Sequence, residues 1–142
     1  MKKVLFICTG NTCRSPMAEI ILRNKIKAVG LKGIKVSSAG LMANAGDKMS
    51  LNSRLALKSL GYRAGPFKAK LATPRLLIES DYIICMTMEH KQYISNFPGV
   101  KTIGEITGLG DIPDPYGGDL NEYIKASHKI EDACNILIEK LL

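Results

Sequence analysis

Apolar residues fall in short unbroken runs separated by stretches of helical spacing. Residues 3–7, Lys3-Val4-Leu5-Phe6-Ile7, have the pattern of a strand buried on both faces of a parallel sheet. Ile34-Lys35-Val36-Ser37-Ser38 predicts a second strand that leaves through Ala39-Gly40. Tyr82-Ile83-Ile84-Cys85-Met86 predicts a third buried strand, and Val100-Lys101-Thr102-Ile103 a short edge strand. Met17, Ile20, Ile21, Asn24, Lys25 and Ala28 repeat at helical spacing; Pro16 opens this helix, Ser15 can cap it and Gly30 ends it. Leu51, Leu55 and Leu60 mark a helix over about 49–60, stopped by Gly61. Pro74 opens a short helix to Ser80, and Thr87 caps one over 88–95 that Asn96-Phe97-Pro98-Gly99 breaks. Leu120, Tyr123, Ile124, Cys134, Leu137, Ile138 and Leu141 predict one long amphipathic helix to the end. Residues 64–73 and the Gly/Pro/Asp-rich stretch 104–119 read as irregular.

Strands alternating with helices predict an α/β protein, a parallel sheet with helices on both faces. Such sheets bind ligands outside the carboxyl ends of their strands. The loop after residue 7 leaves from such an end, and the loop 104–119 can reach the same rim. The length, 142 residues, fits one domain spanning 1–142. No apolar run approaches the ~18 residues of a membrane span. The apolar run after Met1-Lys2-Lys3 is too short for a signal peptide, with Asn11, Arg14 and Glu19 close behind, so a cytoplasmic location is expected. The net charge of +7 suits either a generally basic surface or attraction of anionic substrates. Its 20 basic residues are scattered, so neither a nucleic-acid nor a membrane partner is expected.

Chemistry gathers in Cys8-Thr9-Gly10-Asn11-Thr12-Cys13-Arg14-Ser15, a cysteine, five residues, an arginine and a serine at a strand-to-helix junction. A phosphate dianion needs converging N–H donors, which such a loop and the following helix N-terminus supply. Gly10 is expected to take a backbone conformation closed to other residues, and Asn11 to tolerate the left-handed region while its side chain braces the loop. Arg14 offers a planar fork for two phosphate oxygens. In this positive field the Cys8 thiol is expected to ionise near neutrality and attack phosphorus, with the Ser15 hydroxyl easing its departure. Thr9, Gly10, Asn11, Thr12, Cys13 and Ser15 are therefore candidate substrate-binding residues. A Cys-x5-Arg spacing also arises by chance; the preceding strand, the serine and the proline-started helix argue against that here. No dinucleotide or nucleoside-triphosphate motif is present, and no cofactor or metal is expected. The cysteines at 8, 13, 85 and 134 lack the spacing of a zinc ribbon.

Phosphate-ester cleavage also needs a general acid. Asp111-Ile112-Pro113-Asp114-Pro115-Tyr116-Gly117-Gly118 holds the candidates: prolines stiffen the segment, Asp114 is the expected acid and base, and Asp111 could support it. Read alone, the segment is equally a turn with solvated aspartates. His90 and His128 fall on expected helices and read as surface or packing residues.

These residues resemble the low-molecular-weight protein tyrosine phosphatase family along the whole chain: Cys-x5-Arg-Ser at 8–15, Ser37-Ser38-Ala39-Gly40, and Asp114-Pro115-Tyr116. The resemblance implies a three-layer, four-stranded parallel sheet flanked by helices. It implies Cys8 as nucleophile, Arg14 as phosphate clamp, Asp114 as general acid, Asn11 and Ser38 as supports of the loop, and Tyr116 at the pocket mouth. It also implies that Cys13 can form a reversible disulfide with Cys8 and shield it from further oxidation. Two departures stand out. The family commonly has a histidine where this chain has Phe67-Lys68, and a bulky isoleucine where it has Thr12. The string Cys-Thr-Gly-Asn-Thr-Cys-Arg-Ser-Pro-Met-Ala-Glu at 8–19, and Asp-Pro-aromatic-Gly-Gly at 114–118, resemble instead the branch of bacterial protein arginine phosphatases. A threonine hydroxyl can hydrogen-bond a planar guanidinium, whereas isoleucine packs against a phenol ring.

A monomeric protein phosphatase acting on phosphorylated proteins is thus expected, with phosphoarginine preferred over phosphotyrosine. Arsenate reductase would need a second cysteine near Cys85, and none is there. A phosphate-binding module without catalysis would not need Cys8, Arg14 and Asp114 together.

Overall fold

A computed structural model describes residues 1–141. Four parallel strands, β1 (Lys2–Cys8), β2 (Ile34–Gly40), β3 (Tyr82–Cys85) and β4 (Val100–Thr102), form one sheet in the order β2-β1-β3-β4. Register follows Val4 opposite Val36 on one side and Tyr82 on the other, with Ile83 opposite Val100. The chain steps from β1 outward to β2, then crosses back to β3, so β1 borders the point where strand order reverses. A crevice opens there at the carboxyl ends.

The two-residue side-chain period of β1 divides the core. Val4, Phe6 and Cys8 face a cluster built from α1 (Arg14–Ala28), α2 (Leu51–Ser59), α5 (Ile103–Thr107) and α6 (Leu120–Leu141). Leu5 and Ile7 face the other side, where Leu77 of α3 (Pro74–Glu79) and Ile94, at the end of α4 (Met88–Tyr93), cover them. The three-layer architecture expected from sequence is the one observed. No helix among the described residues is long and apolar enough to cross a membrane.

Local chemistry sets the helix starts. Thr73, Thr87 and Thr102 each accept from the backbone N–H three residues on, and Glu105 completes a capping box with Thr102. That box nucleates α5 inside a stretch expected to be wholly irregular. Helix α1 also differs: it starts at Arg14, with Cys13 as its N-cap residue and no side-chain cap. Ser15 lies inside the first turn rather than capping it, and Pro16 is tolerated there because a first-turn N–H has no partner within the helix. Leu142, the last residue of the expected final helix, lies outside the described residues.

Candidate active site

The loop from Cys8 to Arg14 curls over the N-terminus of α1 and walls a cavity of about 230 Å³. Cys8, Thr9, Gly10, Thr12, Cys13, Arg14, Asp114 and Tyr116 line it. Residues about a hundred positions apart in sequence thus share one concavity.

Asn11 is fully buried with a φ of 56°. It, and not Gly10, carries the left-handed turn; Gly10 has no positive φ, and a Cβ on it would approach only Thr12 Oγ1, at 3.7 Å. An asparagine suits the turn because its side chain is needed beneath it. Asn11 Oδ1 accepts the Lys70 backbone N–H at 3.0 Å, which turns its amide nitrogen inward. That nitrogen donates to Ser15 Oγ at 3.0 Å and Ser38 Oγ at 2.9 Å. Ser38 in turn donates to Glu19 Oε1 at 2.7 Å. Ser15 accepts from Asn11, so its own proton is free for Cys8 Sγ, 2.8 Å away. Donation runs outward from the Asn11 amide, through Ser38 to the Glu19 carboxylate and through Ser15 to the sulfur, so one amide orients both arms.

Glu19 is the member that the sequence reading missed. It is buried, pairs with Arg23, and stands one helical turn after Ser15 on the same face of α1. That i, i+4 spacing was the available signal. The irregular stretch 64–73 also matters: the Lys70 backbone N–H supports Asn11.

Opposing influences act on the Cys8 thiol. Burial pushes its pKa up, while the Ser15 hydroxyl, the backbone N–H groups of Ser15 and Asn11, and the Arg14 guanidinium pull it down. Burial is the larger influence, so the lowered pKa expected from the positive field alone is not what the site has. The sequence displays the charges but not the depth of the sulfur. Cys85 and Cys134 are also buried, and burial pushes both up to about 12, as suits packing thiols.

Arg14 donates to the Ile112 carbonyl at 3.1 Å and pairs with Asp114 Oδ2 at 3.5 Å. The loop 108–119 is pinned from below by these and by the Ile112 N–H to Met86 O bond of 3.0 Å. The Asp111 carboxylate accepts the Met88 N–H, and its carbonyl accepts Lys129 Nζ. Asp114 Oδ1 accepts the Tyr116 N–H at 3.0 Å, and its side chain is half exposed at the cavity edge. Tyr116 stands at the mouth, 80% exposed. Cys13 Sγ neighbours Thr12 Oγ1, Ser50 Oγ and Tyr123 Oη, and all four cysteines are free thiols. Bridging Cys8 would require Cys13 to leave those partners. His90 is buried beside the loop, and His128 is exposed on α6.

Gly40, at the end of β2, lets the loop lie where it does. A Cβ there would stand 2.6 Å from Thr9 O and 2.9 Å from Asn11 N, both backbone atoms. Gly40→Ala is expected to displace the loop, lowering kcat at least about tenfold and stability by about 1–3 kcal/mol. Steady-state kinetics and thermal melts check both.

The chain matches the family described as low molecular weight phosphotyrosine protein phosphatase over residues 3–142. It is 37% identical to a protein-arginine-phosphatase of Geobacillus stearothermophilus, over 98% of this chain and 95% of that protein. It superposes on a low molecular weight protein tyrosine phosphatase from T. tengcongensis with a TM-score of 0.91 and 39% identity, covering 99% of each chain. It also superposes on a mutant of the arginine phosphatase YwlE with a phosphorylated active-site serine, with a TM-score of 0.92 and 33% identity, covering 98% of this chain and 95% of that one.

Proposed function

The chain belongs to the low molecular weight phosphotyrosine protein phosphatase family, and on that premise we propose that it hydrolyses phosphorylated protein side chains through a phosphocysteine, with phosphoarginine preferred. The observation that carries this reading is the single cavity into which Cys8, Arg14 and Asp114 all open, with Thr12 in its wall.

Phosphate settles on the loop N–H groups and the α1 N-terminus, and Arg14 clamps two of its oxygens. The Cys8 thiol passes its proton to the bound phosphate dianion, and the thiolate so formed attacks phosphorus as the bond from phosphorus to the leaving nitrogen breaks. Asp114 gives its proton to that nitrogen. Now ionised, Asp114 takes a proton from water, whose oxygen attacks the phosphocysteine. The phosphorus–sulfur bond breaks, and the Ser15 hydroxyl stabilises the departing thiolate.

Thr12 supplies a hydroxyl and Asp114 a carboxyl group, with an acceptor oxygen beside its transferable proton, for a planar guanidinium. Tyr116, exposed at the mouth, favours the second reading, phosphotyrosine, because its ring can stack on a phenol. Phosphate release from phosphoarginine and phosphotyrosine peptides, by one preparation, tests the choice. Thr12→Ile is expected to lower the phosphoarginine-to-phosphotyrosine ratio of kcat/KM by about 10–100-fold, the worth of one or two side-chain contacts. An unchanged ratio would sink the specificity argument.

The same reading makes residues 1–142 one phosphatase domain, monomeric and cytoplasmic, acting on phosphorylated proteins. In it, oxidation joins Cys8 to Cys13 reversibly and protects the nucleophile from irreversible acids.

A further inference from the structure

We propose that His90 is a positioning residue for this reaction, holding the first residue of the phosphate loop through the Thr9 hydroxyl. This role deepens the phosphatase reading and rests on it. His90 belongs to α4, an element that supplies none of the reacting or phosphate-binding groups above. It is 5% exposed, and both ring nitrogens have partners. Nε2 lies 2.9 Å from Thr9 Oγ1 and Nδ1 lies 3.0 Å from Thr87 Oγ1. Thr87 is itself held as the cap of α4, accepting the His90 backbone N–H at 3.2 Å. The imidazole is a strut between the carboxyl end of β3 and the loop that leaves β1.

Thr9 is held unevenly without that strut. Its carbonyl accepts the Met42 N–H at 2.9 Å, and the Cys8 carbonyl accepts the Leu41 N–H at 2.9 Å. Both bonds tie the loop to the segment after β2. On the β3 side, the hydrogen bond of Thr9 is the one its hydroxyl makes to His90. A loop free to pivot on that side shifts the N–H groups that must converge on phosphate, and small displacements there are costly.

The strut is neutral. Burial lowers the His90 pKa to about 4; Arg14 on α1 adds to this, and Asp114 and Asp111 on the loop 108–119 oppose it. Glu89 on α4 lines the same side. Near neutral pH the ring therefore brings no second cation to compete with Arg14 for Asp114. In a neutral imidazole one nitrogen donates and the other accepts, so the ring couples the hydroxyls of Thr9 and Thr87 and sets which way each proton points.

Three substitutions separate positioning from bulk. His90→Gln places an amide near the Nε2 position and keeps the bond to Thr9. His90→Asn reaches only the Nδ1 position, keeping Thr87 and losing Thr9. Thr9→Val removes the same bond from the loop side. With the phosphopeptides above, kcat/KM is expected to fall about tenfold in His90→Asn and in Thr9→Val, and His90→Gln to recover to within about threefold of wild type. The double variant T9V/H90N is expected to be no worse than either single, because both remove one bond. Inorganic phosphate binding, followed by calorimetry, weakens in the same two variants. Wild-type kcat/KM in His90→Asn, or losses that multiply in the double variant, overturn the role. If neither His90 variant folds, Thr9→Val decides, and full activity in it overturns the role. A wild-type protein that neither binds inorganic phosphate nor releases it from either peptide overturns the phosphatase reading and this role with it. An active wild type with insensitive variants overturns the role alone.

Discussion

Cys8→Ser is expected to abolish turnover, by about 10⁴-fold or more, while inorganic phosphate still binds. The two halves have separate physical origins. Phosphate affinity comes from the loop N–H groups, the α1 N-terminus and Arg14, none of which the substitution touches. Turnover needs an atom that attacks as an anion and later leaves as one. A serine oxygen holds its proton far more tightly than sulfur, so the first step slows. Any phosphoserine formed would have a poor leaving group, so the second step slows further. The Ser15 hydroxyl, 2.8 Å from Sγ and oriented by Asn11, assists that departure only when the leaving atom accepts a hydrogen bond as an anion. Phosphate release measures the first half and calorimetry the second. Near-wild-type turnover in Cys8→Ser would remove the phosphocysteine from the mechanism.

Asp114→Asn is expected to lower kcat by about 10²–10⁴-fold, the usual worth of a positioned acid or base. Asparagine keeps an oxygen for the Tyr116 N–H, so the loop tip stays folded. It also keeps the bulk beside Arg14 while losing the ion pair at 3.5 Å. Besides that pair, what goes is the proton that the carboxyl group carries when substrate is bound. The loss is therefore expected to depend on the leaving group: large when a basic nitrogen or oxygen must depart, small for an aryl phosphate whose phenolate leaves unaided. A leaving-group series that runs parallel in the wild type and the variant would assign the proton to another donor.

Much of this site was legible because its parts are local. A strand, a Cys-x5-Arg-Ser loop and a proline-bearing helix are contiguous, so 8–15 could be read as a phosphate cradle from residue types alone. The strands were legible for a similar reason: buried parallel strands are continuous apolar runs. Other features depended on contacts across the chain. Whether Gly10 or Asn11 takes the left-handed turn depends on Ser38 and Lys70 wanting an amide beneath the loop. The upward direction of the Cys8 pKa depends on how deeply the packed fold buries the sulfur. His90 reads from sequence as an ordinary helical residue, because nothing near position 90 announces that Thr9 lies 2.9 Å away.

By itself, then, the sequence determined the chemistry that is local to one segment. The nucleophile, the clamp, the serine and the proline-stiffened aspartate are properties of short strings, as are the alternating elements that dictate a parallel sheet. Tertiary structure alone decided how those strings act together. The strand order β2-β1-β3-β4 brings the carboxyl end of β1 beside the loop 108–119 and beside α4. That juxtaposition pairs Asp114 with Arg14, sets Glu19 at the far end of a hydrogen-bond chain from Cys8, and makes a strut of His90. Each of these is a distance between residues remote in sequence, and such distances follow from how the sheet and helices pack.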